Sequence, residues 1–188
     1  MAHRIDIRPF QEADGEQVCD LFSVINRLLA PPDLKEAFEL YIAGSIGEEI
    51  GRISDYYAEH NGSFWVAKDG ADLVGMFGLE QPDTNSMELR RMYVSPAARR
   101  RGIGRKMLNF AEEHARSRNV HQLHLSTSEL QQAALSLYRD AGYNLVRTEL
   151  AGAASNKTIG GGIRRYHFVK ELGPGTAPEK RASCPQPN

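Results

Sequence analysis

Three strand-length runs follow one another in the middle of the chain, and the third leads straight into an arginine- and glycine-rich turn that opens a helix. The runs are SFWVAK (Ser63–Lys68), DLVGMFGLE (Asp72–Glu80) and SMELRRMYV (Ser86–Val94), with Asp69 and Gly70 marking a hairpin between the first two. Next come SPAARR and RGIGRKML, where Ile103, Met107, Leu108, Ala111 and Ala115 form an apolar stripe at helical spacing to about Arg118. A strand that hands over to an amphipathic helix needs a sheet with a helix laid on its face, so this stretch fixes an α/β or α+β arrangement.

The flanking segments extend that pattern. Arg4–Pro9 alternates like a first strand, and Val18, Leu21, Phe22, Ile25, Leu28 and Leu29 give a helical stripe. A helical region from Leu34 to about His60 is expected to break into pieces at Gly44, Gly47 and Gly51. Beyond the central helix, His121–Ser126 reads as a buried strand and Ser128–Ala141 as a helix, with capping-box spacing of Ser128 and Gln131 and a stop at Gly142. YNLVRTEL and IRRYHFVKEL read as closing strands. Between them, the Gly160–Gly162 run marks either a lid or a plain flexible loop. Residues 1–172 form one expected domain, and the tail 173–188, with four prolines and no periodicity, is expected to be disordered.

Composition excludes several classes. The 23 basic and 24 acidic residues leave a net charge of -1, so there is no global attraction to nucleic acid or anionic lipid. No basic stripe with interleaved aromatics appears outside the turn. Cys19 and Cys184 do not make a disulfide framework, and His121 and His124, three apart on a strand, point to opposite faces; no metal is expected. MAHRIDIRPF lacks an apolar signal core and no window is long enough to span a membrane, so a soluble cytoplasmic protein is expected.

The turn itself is suited to an anion. The first N–H groups of a helix lack intrahelical partners and carry the positive end of its dipole. Gly102 and Gly104 leave the backbone uncovered, and Arg99, Arg100, Arg101 and Arg105 add full charges. A solvated basic helix start is the plainer alternative. Two nucleotide motifs fail: a GxGxxG pattern needs glycine where Met107 stands, and a Walker loop needs Ser or Thr after Lys106.

Taken together, these residues resemble the Gcn5-related N-acetyltransferase family. Arg99-Arg100-Arg101-Gly102-Ile103-Gly104 matches its cofactor signature Arg/Gln-x-x-Gly-x-Gly/Ala. QQAALSLYRDAGY, from Gln131 through Ala134, Leu137, Tyr138 and Gly142 to Tyr143, resembles its second signature. The likeness covers roughly Ile5–Leu172 and is most similar to the N-acetylaspartate-synthase/camello branch, without the membrane hairpin of that branch's animal members. It implies a three-layer sandwich with a central mixed sheet of about six to seven strands flanked by helices. It also implies acetyl-CoA as acetyl donor, with no metal.

Residue roles follow by the same resemblance. The backbone of Met92, Tyr93 and Val94 binds the pantetheine arm, and Arg99, Arg100, Arg101, Gly102, Ile103, Gly104 and Arg105 hold the pyrophosphate. Tyr138 matches the acid that protonates the leaving thiolate, although a tyrosine on an apolar stripe is equally a core residue. Gln131 stands where the family often has asparagine, so it either contacts the cofactor or merely caps the helix. Glu88 is the candidate for removing the amine's proton through water, or else a carboxylate paired with Arg90 or Arg91. Arg90 and Arg91, as strand neighbours, are expected on opposite faces, one of them free to clamp an acceptor carboxylate. The leading partner is a small amino-acid-like amine, reached by direct transfer in a ternary complex. A protein lysine or N-terminal amine, and a catalytically silent acetyl-CoA sensor, are the alternatives. A homodimer is compatible with the resemblance, and nothing in the sequence fixes an interface.

Overall fold

In the computed structural model, residues 5–152, 155 and 158–173 are described. The disorder expected of the tail falls, from residue 174 on, outside them. Strand β1 (Asp6–Pro9) is followed by helices α1 (Gly15–Leu29), α2 (Lys35–Glu48) and α3 (Ile53–Glu59). Strands β2 (Ser63–Asp69), β3 (Asp72–Glu80) and β4 (Ser86–Val94) come next, then α4 (Ile103–Ser117), β5 (Gln122–Ser128), α5 (Gln132–Asp140), β6 (Asn144–Leu150) and β7 (Arg164–Glu171). The seven strands form one sheet in the order β1-β2-β3-β4-β5-β7-β6. Only β4 and β5 run parallel; the other neighbours are antiparallel.

Two cores make the sandwich. On one face, Val18, Phe22 and Ile25 of α1, with Tyr41, Ile42, Tyr56 and Tyr57, pack on Phe64, Val66 and Met76. On the other, Ile103, Met107, Leu108 and Ala111 of α4, with Leu135 and Tyr138 of α5, pack on Phe77, Leu79, Met87, Leu89, Leu123 and Leu125. Alternation along β2 and β5 sends successive side chains to opposite layers, as a pleated strand must. Gly78 is needed in β3 because a Cβ there would overlap the Tyr57 ring.

Two boundaries differ from expectation. Gly44 and Gly47 lie within α2, where a Cβ would meet nothing within 4 Å, and of the three glycines only Gly51 falls in the break, a short 3-10 turn at Ile50–Arg52 that follows Glu49. Ser128 belongs to β5, paired with Arg165, so α5 starts three residues later than the capping-box spacing suggests. The Gln131 carboxamide still accepts from the Ser128 N–H (3.4 Å) and from Thr127 Oγ1 (2.7 Å), folding the strand end onto the helix start.

Candidate active site

The sheet splits in its middle. β4 and β5 pair only over Ser86↔Gln122, Met87↔Leu123, Glu88↔His124 and Leu89↔Leu125. Beyond Leu89 the strands diverge, and Arg90–Val94 keep their pairing with β3 alone. Within that half lies a β-bulge: Met76 faces Tyr93 and Gly78 faces Arg90, so Phe77 alone opposes both Arg91 and Met92. Arg91 takes φ 52, a left-handed conformation rare for a non-glycine residue.

The bulge overturns the expectation that Arg90 and Arg91 point to opposite faces. One extra residue cancels one alternation, and both guanidinium groups turn toward the α1–α3 layer. There they meet Glu49, which is wholly buried. Arg90 Nη2 donates to Glu49 Oε2 at 2.9 Å, and Arg91 donates to the same oxygen from Nε (3.1 Å) and Nη2 (2.7 Å). Arg90 Nη1 also donates to Glu80 and to the Tyr56 hydroxyl (2.7 Å). Arg91 Nη1 donates to the Tyr41 hydroxyl (2.5 Å), while the Tyr57 hydroxyl donates to Glu49 Oε1 (2.8 Å). Two guanidinium groups thus balance two carboxylates in a buried layer, with every charge hydrogen-bonded, the condition under which such a cluster survives burial. Burial pushes the Glu49 carboxyl up, but Arg91 and then Arg90 outweigh it and hold the group below its ordinary value. Burial also drives the Tyr56 hydroxyl up to about 12.

Past the split, Pro96–Ala98 makes a single 3-10 turn and the chain enters α4 through Arg100 (φ 61) and Gly102 (φ 74). Gly102 is the N-cap and has no side chain to close the helix start; no acidic residue stands in the first turn. Among the described residues, none of the N–H groups of Arg100 through Arg105 donates a backbone hydrogen bond. Arg99 and Arg100 are exposed and Arg105 half-buried, whereas Arg101 is drawn to Asp69 at 2.8 Å. A Cβ on Gly104 would lie 3.3 Å from Leu137, 3.8 Å from Met92 and 3.9 Å from Val94, so this glycine lets the helix start pack closely against α5 and the end of β4.

On the α1–α3 side the split opens into a cavity of about 100 Å³. Glu88, Arg90, Arg91, Tyr93 and Gln131 line it, together with Asn26, Tyr41, Ser126 and Arg165. The Gly160–Gly162 turn, with positive φ at all three residues, holds Ile159 and Ile163 against the same cavity. Glu88 also lines a second, open groove of about 780 Å³ over β5, β7 and β6, to which no helix of the described residues contributes; Ser126, Thr158 and Arg165 are likewise shared by both hollows. Met92 and Val94 point the other way, into the α4–α5 core. Tyr138 sits in that core too, 5% exposed, against Tyr143 and Phe168, and lines neither hollow. Burial raises its pKa. Glu49, Tyr41, Asn26 and Arg165 are pocket or network residues that the sequence reading did not single out; an isolated glutamate in GEEIG carries no periodic signal.

A mixed seven-stranded sheet, split between its parallel pair and followed by an open, glycine-entered helix, defines an acetyltransferase fold. The chain belongs to the acetyltransferase (GNAT) family, whose sequence model matches residues 31–143. Probable N-acetyltransferase 14 of Xenopus tropicalis is 35% identical over 99 residues, covering 52% of this chain and 48% of the relative. N-acetyltransferase family 8 member 3 of Rattus norvegicus is 33% identical over 138 residues, 70% of this chain and 60% of the relative. The chain therefore spans about half to three-fifths of these relatives' length. The PaiA N-acetyltransferase of Thermoplasma acidophilum, solved in complex with coenzyme A, shares the fold with TM-score 0.71 at 18% identity, over 89% of this chain and 99% of that one. Among the described residues, no helix is long and apolar enough to cross a membrane.

Proposed function

We propose that the protein is an acetyl-CoA-dependent N-acetyltransferase that passes the acetyl group directly to the primary amine of a small, amino-acid-like acceptor within a ternary complex. One observation carries this reading: the split between β4 and β5 runs directly onto a helix start whose N–H groups are unspent and ringed by arginines.

These residues fit coenzyme A. The backbone of Met92, Tyr93 and Val94, released from β5, is placed to receive an extended amide-bearing arm. Arg99, Arg100, Arg105 and the N–H groups through Gly104 would hold a diphosphate, and Gly102 and Gly104 carry no side chain over those N–H groups. Bound acetyl-CoA supplies an acyl carbon activated as a thioester. Glu88, at the junction of cavity and groove, takes a proton from the acceptor's ammonium through water, which is required because an amine of pKa ~8–10 is largely protonated at neutral pH. Tyr138 is the proposed donor at the departing sulfur. A phenol is a weaker acid than a thiol (~10 against ~8.5), and burial weakens it further, so full transfer runs uphill. The Tyr138 hydroxyl therefore acts as a hydrogen-bond donor to the developing negative charge and keeps its proton, and the departing thiolate takes its proton from solvent. Arg90 and Arg91, fixed by Glu49, form the rigid wall of the cavity.

Calorimetry with coenzyme A and a thiol-release assay over a panel of amines test the reading. Binding, turnover on small amines and intersecting initial-rate lines are expected. Binding without turnover on any acceptor would establish a sensor instead. A polypeptide acceptor is the second reading, favoured by the open groove on β5–β7–β6; preference for peptides over free amino acids in the same assay would select it. Tyr138→Phe is expected to lower kcat about 10- to 100-fold with KM nearly constant, whereas a purely structural tyrosine would leave kcat alone.

A further inference from the structure

The sequence directs attention to Arg90 and Arg91 as carboxylate clamps, yet both donate into Glu49, with Glu80, Tyr41 and Tyr56 as additional partners. A third arginine occupies a different position. Arg165 stands on β7, opposite Ser128 of β5 and Glu149 of β6. Its guanidinium reaches back along β5 to the Ser126 hydroxyl, one residue past the last β4–β5 pair. It lines both the cavity and the open groove, and so does Glu88.

We propose that Arg165 is the specificity-determining residue of the acceptor site, gripping a carboxylate next to the amine that Glu88 faces, so that the acceptor is a free amino acid or similar zwitterion. This deepens the acetyltransferase reading above and rests on it.

The groups that bear on Arg165 come from every side of the opening: Tyr41 from α2, Glu88 and Tyr93 from β4, Glu149 from β6 and Ser126 from β5. Glu149 is itself held by His167 Nε2 at 2.7 Å and Arg147 at 3.4 Å, which draws its charge to the outer strands. Burial pulls the Arg165 pKa below its ordinary value, more than these neighbours restore. A guanidinium at the edge of two hollows can offer its planar fork to an incoming carboxylate alongside the partners it has within the protein. With Glu88 on β4, across β5 from β7, the junction presents one positive and one negative centre, the complement of an ammonium and a carboxylate on the same small molecule. An acceptor lacking the carboxylate forgoes a charged hydrogen bond to Arg165, and a site built around a polar partner rejects the analogue without it. The groove beyond, with Gln122, His124 and His167, has room for the acceptor's own side chain.

The experiment compares each amino acid that the protein acetylates with its decarboxylated amine, in the native chain and in Arg165→Gln and Arg165→Lys. The native protein is expected to prefer the carboxylated acceptor. In Arg165→Gln that preference should fall about 10- to 100-fold, mostly through KM for the acceptor, the range a charged hydrogen bond supports. Arg165→Lys should fall between, since it keeps charge without the planar fork. KM for acetyl-CoA and the melting temperature in the presence of coenzyme A serve as folding controls and should change little. Equal use of amine and amino acid by the native protein, or an undiminished preference in Arg165→Gln, overturns the proposal while leaving the acetyltransferase reading in place. Absence of turnover with every small amine overturns both.

Discussion

Two arginine pairs, nine residues apart in sequence, show how location decides what a charge does. Arg90-Arg91 and Arg99-Arg100 are identical dipeptides, and in each the second residue has a positive φ, 52 at Arg91 and 61 at Arg100. The first pair lies beneath α2 and α3 with its charge cancelled by Glu49 and Glu80. The second lies on an exposed turn with no acidic residue in the helix turn that follows. Buried guanidinium groups must be matched from within, because their desolvation costs several kcal/mol apiece. Exposed ones need not be, and remain free to meet a ligand. The first pair thus works for the fold, and the second is available for chemistry.

Removing the internal match is the harshest way to break that contrast. Glu49→Ala leaves two buried cations to share the one carboxylate of Glu80 and should cost about 3–5 kcal/mol, lowering the melting temperature by roughly 10 °C for a chain of this size. Thermal denaturation checks it, and an unchanged melting point would mean that water reaches the cluster. Reversing the exposed pair, Arg99→Glu with Arg100→Glu, should do the opposite: coenzyme A affinity falls about 100-fold by calorimetry while stability moves less than ~1 kcal/mol.

Acid sharpens the comparison more gently. Glu49 has a folded pKa below its ordinary 4.5, so its contribution to stability is complete above about that pH and is lost as pH falls through the depressed value. The urea midpoint of the native protein should therefore drop below pH 4.5 more steeply than that of Glu49→Gln, and parallel curves would remove Glu49 as the cause. The smallest effect belongs to Arg101, whose bridge to Asp69 is two-fifths exposed on the arginine side; Arg101→Ala should cost under ~1 kcal/mol in the same titration.

Legibility in the sequence follows the same divide between pattern and partner. The spans of β3 and β4 were readable to the residue, because alternation and turn residues bound them closely. The glycine-entered start of α4 was equally plain, since a missing side chain and a left-handed backbone are properties of one residue. α2 was harder: it has almost no one-sided apolar stripe, and its glycines are tolerated for lack of neighbours rather than used as breaks. The Arg91 bulge could not be read, because an extra residue shows only against the register of β3. Glu49 was missed for a related reason. A carboxylate whose partners stand 41 and 42 residues away looks, in one dimension, like any solvated acid. Arg165 entered the candidate site only when β7 was laid beside β5.

The short seam between β4 and β5 has a mechanical consequence. With only four residue pairs joining the two halves of the sheet, strands β1–β4 and β5–β7 are stitched at one end and open at the other, like a book held by half its spine. A molecule wedged along the open half takes up the backbone groups that a neighbouring strand would otherwise satisfy, and so finishes the binding. Its arrival should stiffen both covers at once, and slowed amide exchange would spread from the wedge out to strands it never touches.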